Sequence, residues 1–175
     1  MSTLVRSIES APIKAAVPEI IQHPAFIPGS GLRAQTIQAI IKRHRKVLIF
    51  TSPVMRTRIA DEAANAGIPV TNLLASILTA DKIEVVEAFE KAEEGVLVAS
   101  PYSATGWRAN AKCIVLCELL MPRSNAYLYQ MVTRARASEL HLVNCHFPPT
   151  VVPDLIRFFE GVNLFSSPID SEDAT

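Results

Sequence analysis

The residues best suited to chemistry lie in the stretch Gln130-Met-Val-Thr-Arg-Ala-Arg136. Arg134 and Arg136 carry planar guanidinium groups that stay charged and grip two anionic oxygens at once. At the edge of an α/β sheet, such a pair suits a phosphate chain better than a core. The seven residues alone also fit a plain solvated helix end, because arginine there complements the helix dipole. Hydroxyl-bearing loops form a second group, Thr51-Ser-Pro-Val54 and Ser100-Pro-Tyr-Ser-Ala-Thr-Gly-Trp107, and Glu118-Leu-Leu-Met-Pro122 is a third loop of interest.

The elements that must position these groups can be read from periodicity. Leu32, Ile37, Ile40 and Ile41 recur at helical spacing, and Lys42, Arg43, Arg45 and Lys46 follow where the dipole favours cations. We read that basic cluster as a solvated helix end. Val47-Leu-Ile-Phe50 is a continuous apolar run, as expected of a strand buried on both faces. Similar runs start at Val70, Gly95, Ile114 and Leu140. Helical patterns fall between them, over 54–66, 79–92 and the stretch bearing Gln130, with a last helix over 152–159. Short apolar strands alternating with helices predict a three-layer α/β fold, with a central, mainly parallel sheet covered on both faces. Functional residues of such sheets gather at the strand carboxyl ends. The arginines are therefore expected to face the mouth formed by the loops after Phe50 and Ala99.

The chain has 175 residues, 49% hydrophobic and 19% charged, enough apolar content for one sizeable core. Formal net charge is zero, so a nucleic-acid site would have to be local. Cys113 and Cys117 sit in an apolar run and read as small core residues; with Cys145 they suit a reducing cytoplasm. With His146 the three cysteines lack zinc-knuckle spacing, so no metal site is expected. No apolar run approaches the ~20 residues that span a membrane. Residues 1–31 read as a proline-rich arm lying on the domain, 32–165 as the folded domain, and 166–175 as an acidic, frayed tail. Trp107, the only tryptophan, reads as a buried wedge, with base stacking as the alternative.

Phosphate-binding loops are missing. Neither Gly-x-x-x-x-Gly-Lys nor Gly-x-Gly-x-x-Gly occurs, and none of the six glycines precedes a lysine. No serine–histidine–aspartate order or paired carboxylates appear, so a freestanding hydrolase is a poor reading.

Four segments in order carry a resemblance: Lys46-Val-Leu-Ile-Phe-Thr-Ser52, Val85-Val-Glu-Ala-Phe-Glu-Lys91, Gly95-Val-Leu-Val-Ala-Ser100 leading to Thr105-Gly106, and Tyr129-Gln-Met-Val-Thr-Arg-Ala-Arg136. Together they resemble the second RecA-like domain of superfamily two helicases, over about residues 32–146. The resemblance implies a RecA-like fold. It places Thr51 and Ser52 at the end of the family's fourth motif, and Ser100, Thr105 and Gly106 in its fifth. Those loops hold a nucleic-acid backbone without reading sequence, with Arg56 and Trp107 as further candidates.

Gln130, Arg134 and Arg136 match the sixth motif, which faces ATP. The resemblance implies an arginine finger, for which Arg134 is the first choice. It also implies ATP with magnesium in a composite site completed by a separate first RecA-like lobe, and nucleic acid as partner, DNA rather than RNA. This sixth motif departs from Gln-x-x-Gly-Arg-x-Gly-Arg: Thr133 replaces the glycine and Arg136 comes one residue early. The Gln-x-x-x-Arg-x-Arg form also resembles that of the origin-binding helicase branch, and Val-Thr-Arg-Ala-Arg resembles superfamily one, so the subfamily stays open. Arg108 stands where the fifth motif has aspartate. The alternative is a non-hydrolysing module, derived from a helicase domain, that binds nucleic acid or protein. Met1 and the polar end suit a natural short chain, and a split enzyme would suit a compact viral genome.

Overall fold

The computed structural model describes residues 17–27, 29–73, 79–104, 106–120 and 125–164. Among the described residues, six strands form one sheet: β1 (Glu19–Gln22), β2 (Lys46–Thr51), β3 (Val70–Asn72), β4 (Gly95–Ala99), β5 (Cys113–Cys117) and β6 (Glu139–Val143). Their order is β1-β6-β5-β2-β4-β3, and every pairing is parallel. The sheet is thus wholly parallel where the sequence predicted a mainly parallel one. Five α-helices among the described residues cover it: α1 (Leu32–His44), α2 (Arg56–Ala64), α3 (Thr79–Lys91), α4 (Asn125–Val132) and α5 (Val151–Leu164).

Each central strand alternates between two cores, which is why its sequence is apolar throughout. Val47, Ile49, Val96, Val98, Cys113, Val115 and Val143 meet Ile37, Ile40 and Ile41 of α1 and Ile59 and Ala63 of α2. Leu48, Phe50, Leu97, Ile114, Leu116, Leu140 and Leu142 meet α3, α4 and α5 through Phe89, Leu128, Met131 and Leu155. The loop leaving β2 therefore crosses to the α1–α2 face, while those leaving β4 and β5 cross to the opposite face.

Two features differ from expectation. Residues 19–22 of the arm form an edge strand, registered with β6 from Glu19 opposite Glu139 to Gln22 opposite Leu142. The basic cluster ending α1 is not a uniformly solvated face. Lys46 is buried, and its Nζ donates to the carbonyl oxygens of Phe89, Glu90 and Ala92, closing the last turn of α3. That ammonium also lies 4.4 Å from the centre of the Phe89 ring. Arg45 pairs with Glu94 and Arg43 with Glu139. Residues 1–16 and the expected tail at 166–175 lie outside the described residues. Among the described residues, no helix is long and apolar enough to cross a membrane.

Candidate functional site

The chain places its candidate residues at opposite edges of the sheet. Lys46 is registered with Gly95, and Cys113 with Glu139, so these residues mark the N-terminal edge. Residues 133–138 join the end of α4 to the start of β6, and the Ser138 amide donates to the Lys112 carbonyl at that edge. Arg134 and Arg136 thus lie toward the N-terminal edge. Thr51, Ser52 and Ser100 end or follow β2 and β4 at the C-terminal edge. A five-residue strand separates the two edges by about 16 Å. The expectation that the arginines face the mouth formed by the loops after Phe50 and Ala99 is corrected. In a parallel β-α-β unit the chain returns to the strand starts before the next strand begins, so a residue following the helix is carried away from that mouth.

At the arginine end, two segments lock together. The Ala109 amide donates to the Arg134 carbonyl at 2.8 Å. The Arg134 side chain then donates to three acceptors: the Gln130 carbonyl at 2.8 Å, the Trp107 carbonyl at 2.8 Å and Thr133 Oγ1 at 3.3 Å. Burial, and after it the nearby Arg108 charge, lowers the pKa of Arg134. Arg136 is exposed and makes no hydrogen bond or ion pair with the described residues. Glu90, Arg108, Asn110, Thr133, Arg134 and Arg136 line an open pocket of about 240 Å³ here. Three cations against one acid give its lining a net positive charge. Arg108 was singled out in the sequence only as a departure from the family pattern, and its convergence with the other two arginines needed the fold. The Gln130 side chain is partly buried, and its Oε1 has no partner among the described residues.

At the hydroxyl end, several assignments change. Thr51 and Ser100 are fully buried, so neither presents its hydroxyl to a ligand in this conformation. Ser100 is occupied within its own turn, where Ser103 Oγ accepts from the Ser100 amide at 3.1 Å and donates to the Ser100 carbonyl at 2.9 Å. Trp107 is 7% exposed, stacks on Phe50 with ring centres 6.2 Å apart, and donates from its indole nitrogen to the Ser103 carbonyl at 2.6 Å. The wedge reading holds and the ring is not open to a base. Ser52 and Arg56 remain partly exposed. Gly106 has φ +88°, a left-handed conformation that glycine adopts without strain. Thr105 lies outside the described residues.

Three polar atoms at or just beyond the C-terminal edge lack partners among the described residues: Thr51 Oγ1, Arg56 Nε and Asn72 Oδ1. Native proteins seldom bury such groups unpaired unless a ligand, an ion or water completes them. Asn72, which ends β3, gave no signal in the sequence.

Neither a protein-family model nor a curated protein matches the sequence. Solved structures do match in fold. A DEAD box protein from Methanococcus jannaschii superposes with a TM-score of 0.57 at 12% identity, over 86% of this chain and 41% of that one. Dbp5 of S. cerevisiae, bound to RNA and ADP BeF3, gives 0.60 at 11% identity, over 83% and 40%. Mss116p DEAD-box helicase domain 2, bound to an RNA duplex, gives 0.53 at 18% identity, over 82% and 58%. The chain spans about two fifths of the first two proteins. Its six-stranded parallel sheet with helices on both faces is the RecA-like fold of these helicase domains.

Proposed function

We propose that the chain acts as the second lobe of an ATP-dependent nucleic-acid helicase or translocase. The observation that carries this reading is the pocket where Arg108, Arg134 and Arg136 converge. Its three guanidiniums and open shape fit the phosphates of a nucleotide. Neither phosphate-loop pattern occurs in these 175 residues, so ATP and magnesium would be held chiefly by a first RecA-like lobe outside them. Bound nucleotide would supply the scissile phosphate bond, and the chain's part is electrostatic. Arg136, with no competing partner among the described residues, is the better candidate for the finger that meets charge developing on the transferred phosphate. Arg134 positions the segment, because its guanidinium already ties Trp107 to the end of α4.

Nucleic acid would lie along the opposite edge, against the partly exposed Ser52 and Arg56. The named ligand of both neighbours solved with nucleic acid is RNA, so the preference for DNA is not carried forward. A second reading, a non-hydrolysing module that docks a protein, draws on exposed apolar side chains around that same edge. Val54, Leu120 and Tyr102 are 90%, 74% and 65% exposed.

Nucleotide turnover separates the two. The chain alone should hydrolyse no ATP, and adding a polypeptide that carries Gly-x-x-x-x-Gly-Lys from the same source should give nucleic-acid-stimulated hydrolysis. Tight binding of that polypeptide without any gain in turnover would favour the docking module.

A further inference from the structure

A second cluster of reactive side chains lies on the α1 face, apart from both edges' candidate residues. Cys113 opens β5 and is registered with Glu139, which opens β6. His141 follows Glu139 by two residues and so shares its face. α1 ends at His44, which reaches over this corner, and His23 follows the edge strand β1. Four stretches far apart in sequence thus deliver three histidines, a cysteine and a glutamate to one corner.

The geometry is tight. One ligating atom from each of His44, Cys113 and His141 lies within 4.8 Å of the other two. Glu139 Oε1 is 3.0 Å from His44 Nε2 and 2.8 Å from His141 Nε2. His23 Nε2 is 2.8 Å from His141 Nδ1, and the two rings stack. Arg43 donates to Glu139 Oε2 at 2.7 Å. Cys113, Glu139 and His141 are buried, and the His44 side chain is 11% exposed, leaving that residue at the rim.

Hydrogen bonds account for the histidines and the glutamate, but not for the cysteine. Cys113 Sγ has only the carbonyl of its own neighbour Ile114, at 3.8 Å. A thiol, two imidazoles and a carboxylate are the donor types that zinc-class ions select, with bonds of about 2.0–2.3 Å. Ligands at that distance stand roughly 3.4–3.7 Å apart around a tetrahedral ion, so shifts of about an ångström would complete the site. A thiolate and a carboxylate would also balance a divalent charge.

We propose that His44, Cys113 and His141 form a binding site for a zinc-class divalent metal ion, with the Glu139 carboxylate beside both imidazoles balancing its charge. His23 orients His141 through the other ring nitrogen, as the outer partners of ligating histidines do. The ion ties β1, β5, β6 and α1 together at the N-terminal corner. The site is structural, because burial of Cys113 and His141 leaves it closed to a substrate.

The test uses the full, untagged chain, stripped with a chelator and titrated with Zn²⁺ against a chromophoric chelator, and separately with Co²⁺. One equivalent of Zn²⁺ should bind and raise Tm, and Co²⁺ should give a thiolate-to-metal charge-transfer band. Cys113→Ser should abolish that band and weaken Zn²⁺ binding by more than the roughly 10–100-fold typical of losing a supporting hydrogen bond. Cys117→Ser, on the same strand, should change neither. Should Cys113→Ser fail to fold, His44→Gln at the rim should weaken binding to the same degree. Failure to take up one equivalent at micromolar Zn²⁺, or unchanged affinity in a folded Cys113→Ser or His44→Gln variant, would overturn the proposal and leave a hydrogen-bonded network only.

Discussion

Arg134 and Arg136 stand two residues apart, yet their surroundings give them different work. Arg134 has three acceptors close at hand, so truncating it leaves the Trp107 and Gln130 carbonyls without that donor. We expect Arg134→Ala to cost about 1–2 kcal/mol in denaturant unfolding. Arg136→Ala, at an exposed site, should stay within about 0.5 kcal/mol of the parent. Equal costs would show that the two side chains are not divided in this way. The thiols offer an independent check. Burial pushes Cys145 up to about 12 and raises Cys117 as well, so both stay protonated near neutral pH. Cys117, fully buried, should resist thiol reagents at pH 8 until the chain is unfolded; prompt labelling of Cys117 in the native state would refute its placement in the core.

At the scale of elements, Lys46 links the start of β2 to the end of α3. Three carbonyl oxygens of α3's final turn and its exit share one ammonium, which has no other outlet. Lys46→Met keeps the length and apolar stem but removes the donor. We expect a loss of about 2–3 kcal/mol, since buried acceptors left unpaired cost that order. A loss under about 0.5 kcal/mol would mean that water replaces the ammonium at no cost.

Most elements were legible in the sequence for simple reasons. Val47 to Phe50, Gly95 to Ala99 and Ile114 to Cys117 are apolar without interruption because both faces of each strand are covered. Ile37, Ile40 and Ile41 kept helical spacing because α1 buries one stripe, although Leu32 at its start is 45% exposed. The strand β1 was not legible. Four residues between Pro18 and Pro24 carry little periodicity, and their partner β6 lies about 120 residues away. The same limit hid the corner cluster, because Cys113 meets Glu139 only through strand register.

For the whole molecule, the separation of the two candidate regions matters most. The residue types of both were visible in the sequence, but strand direction decides which loops share an edge, and it carries Arg134 to the edge opposite Ser52. Burial removed Thr51, Ser100 and Trp107 from direct contact, which spacing alone could not show. With zero net charge, the proposed nucleic-acid binding would have to come from a few local cations. Affinity for a single-stranded oligonucleotide should therefore fall with salt, and Arg56→Ala should lower the slope by about 1. A slope unchanged by that substitution would remove Arg56 from the interface. In the proposed enzyme this lobe supplies a guanidinium to a nucleotide held by another. Steady-state ATP hydrolysis by Arg136→Ala, reconstituted with the lobe that carries the phosphate loop, tests it most directly. The expected result is a kcat lower by on the order of a thousandfold with stability unchanged. Turnover equal to that of the parent protein would contradict the claim.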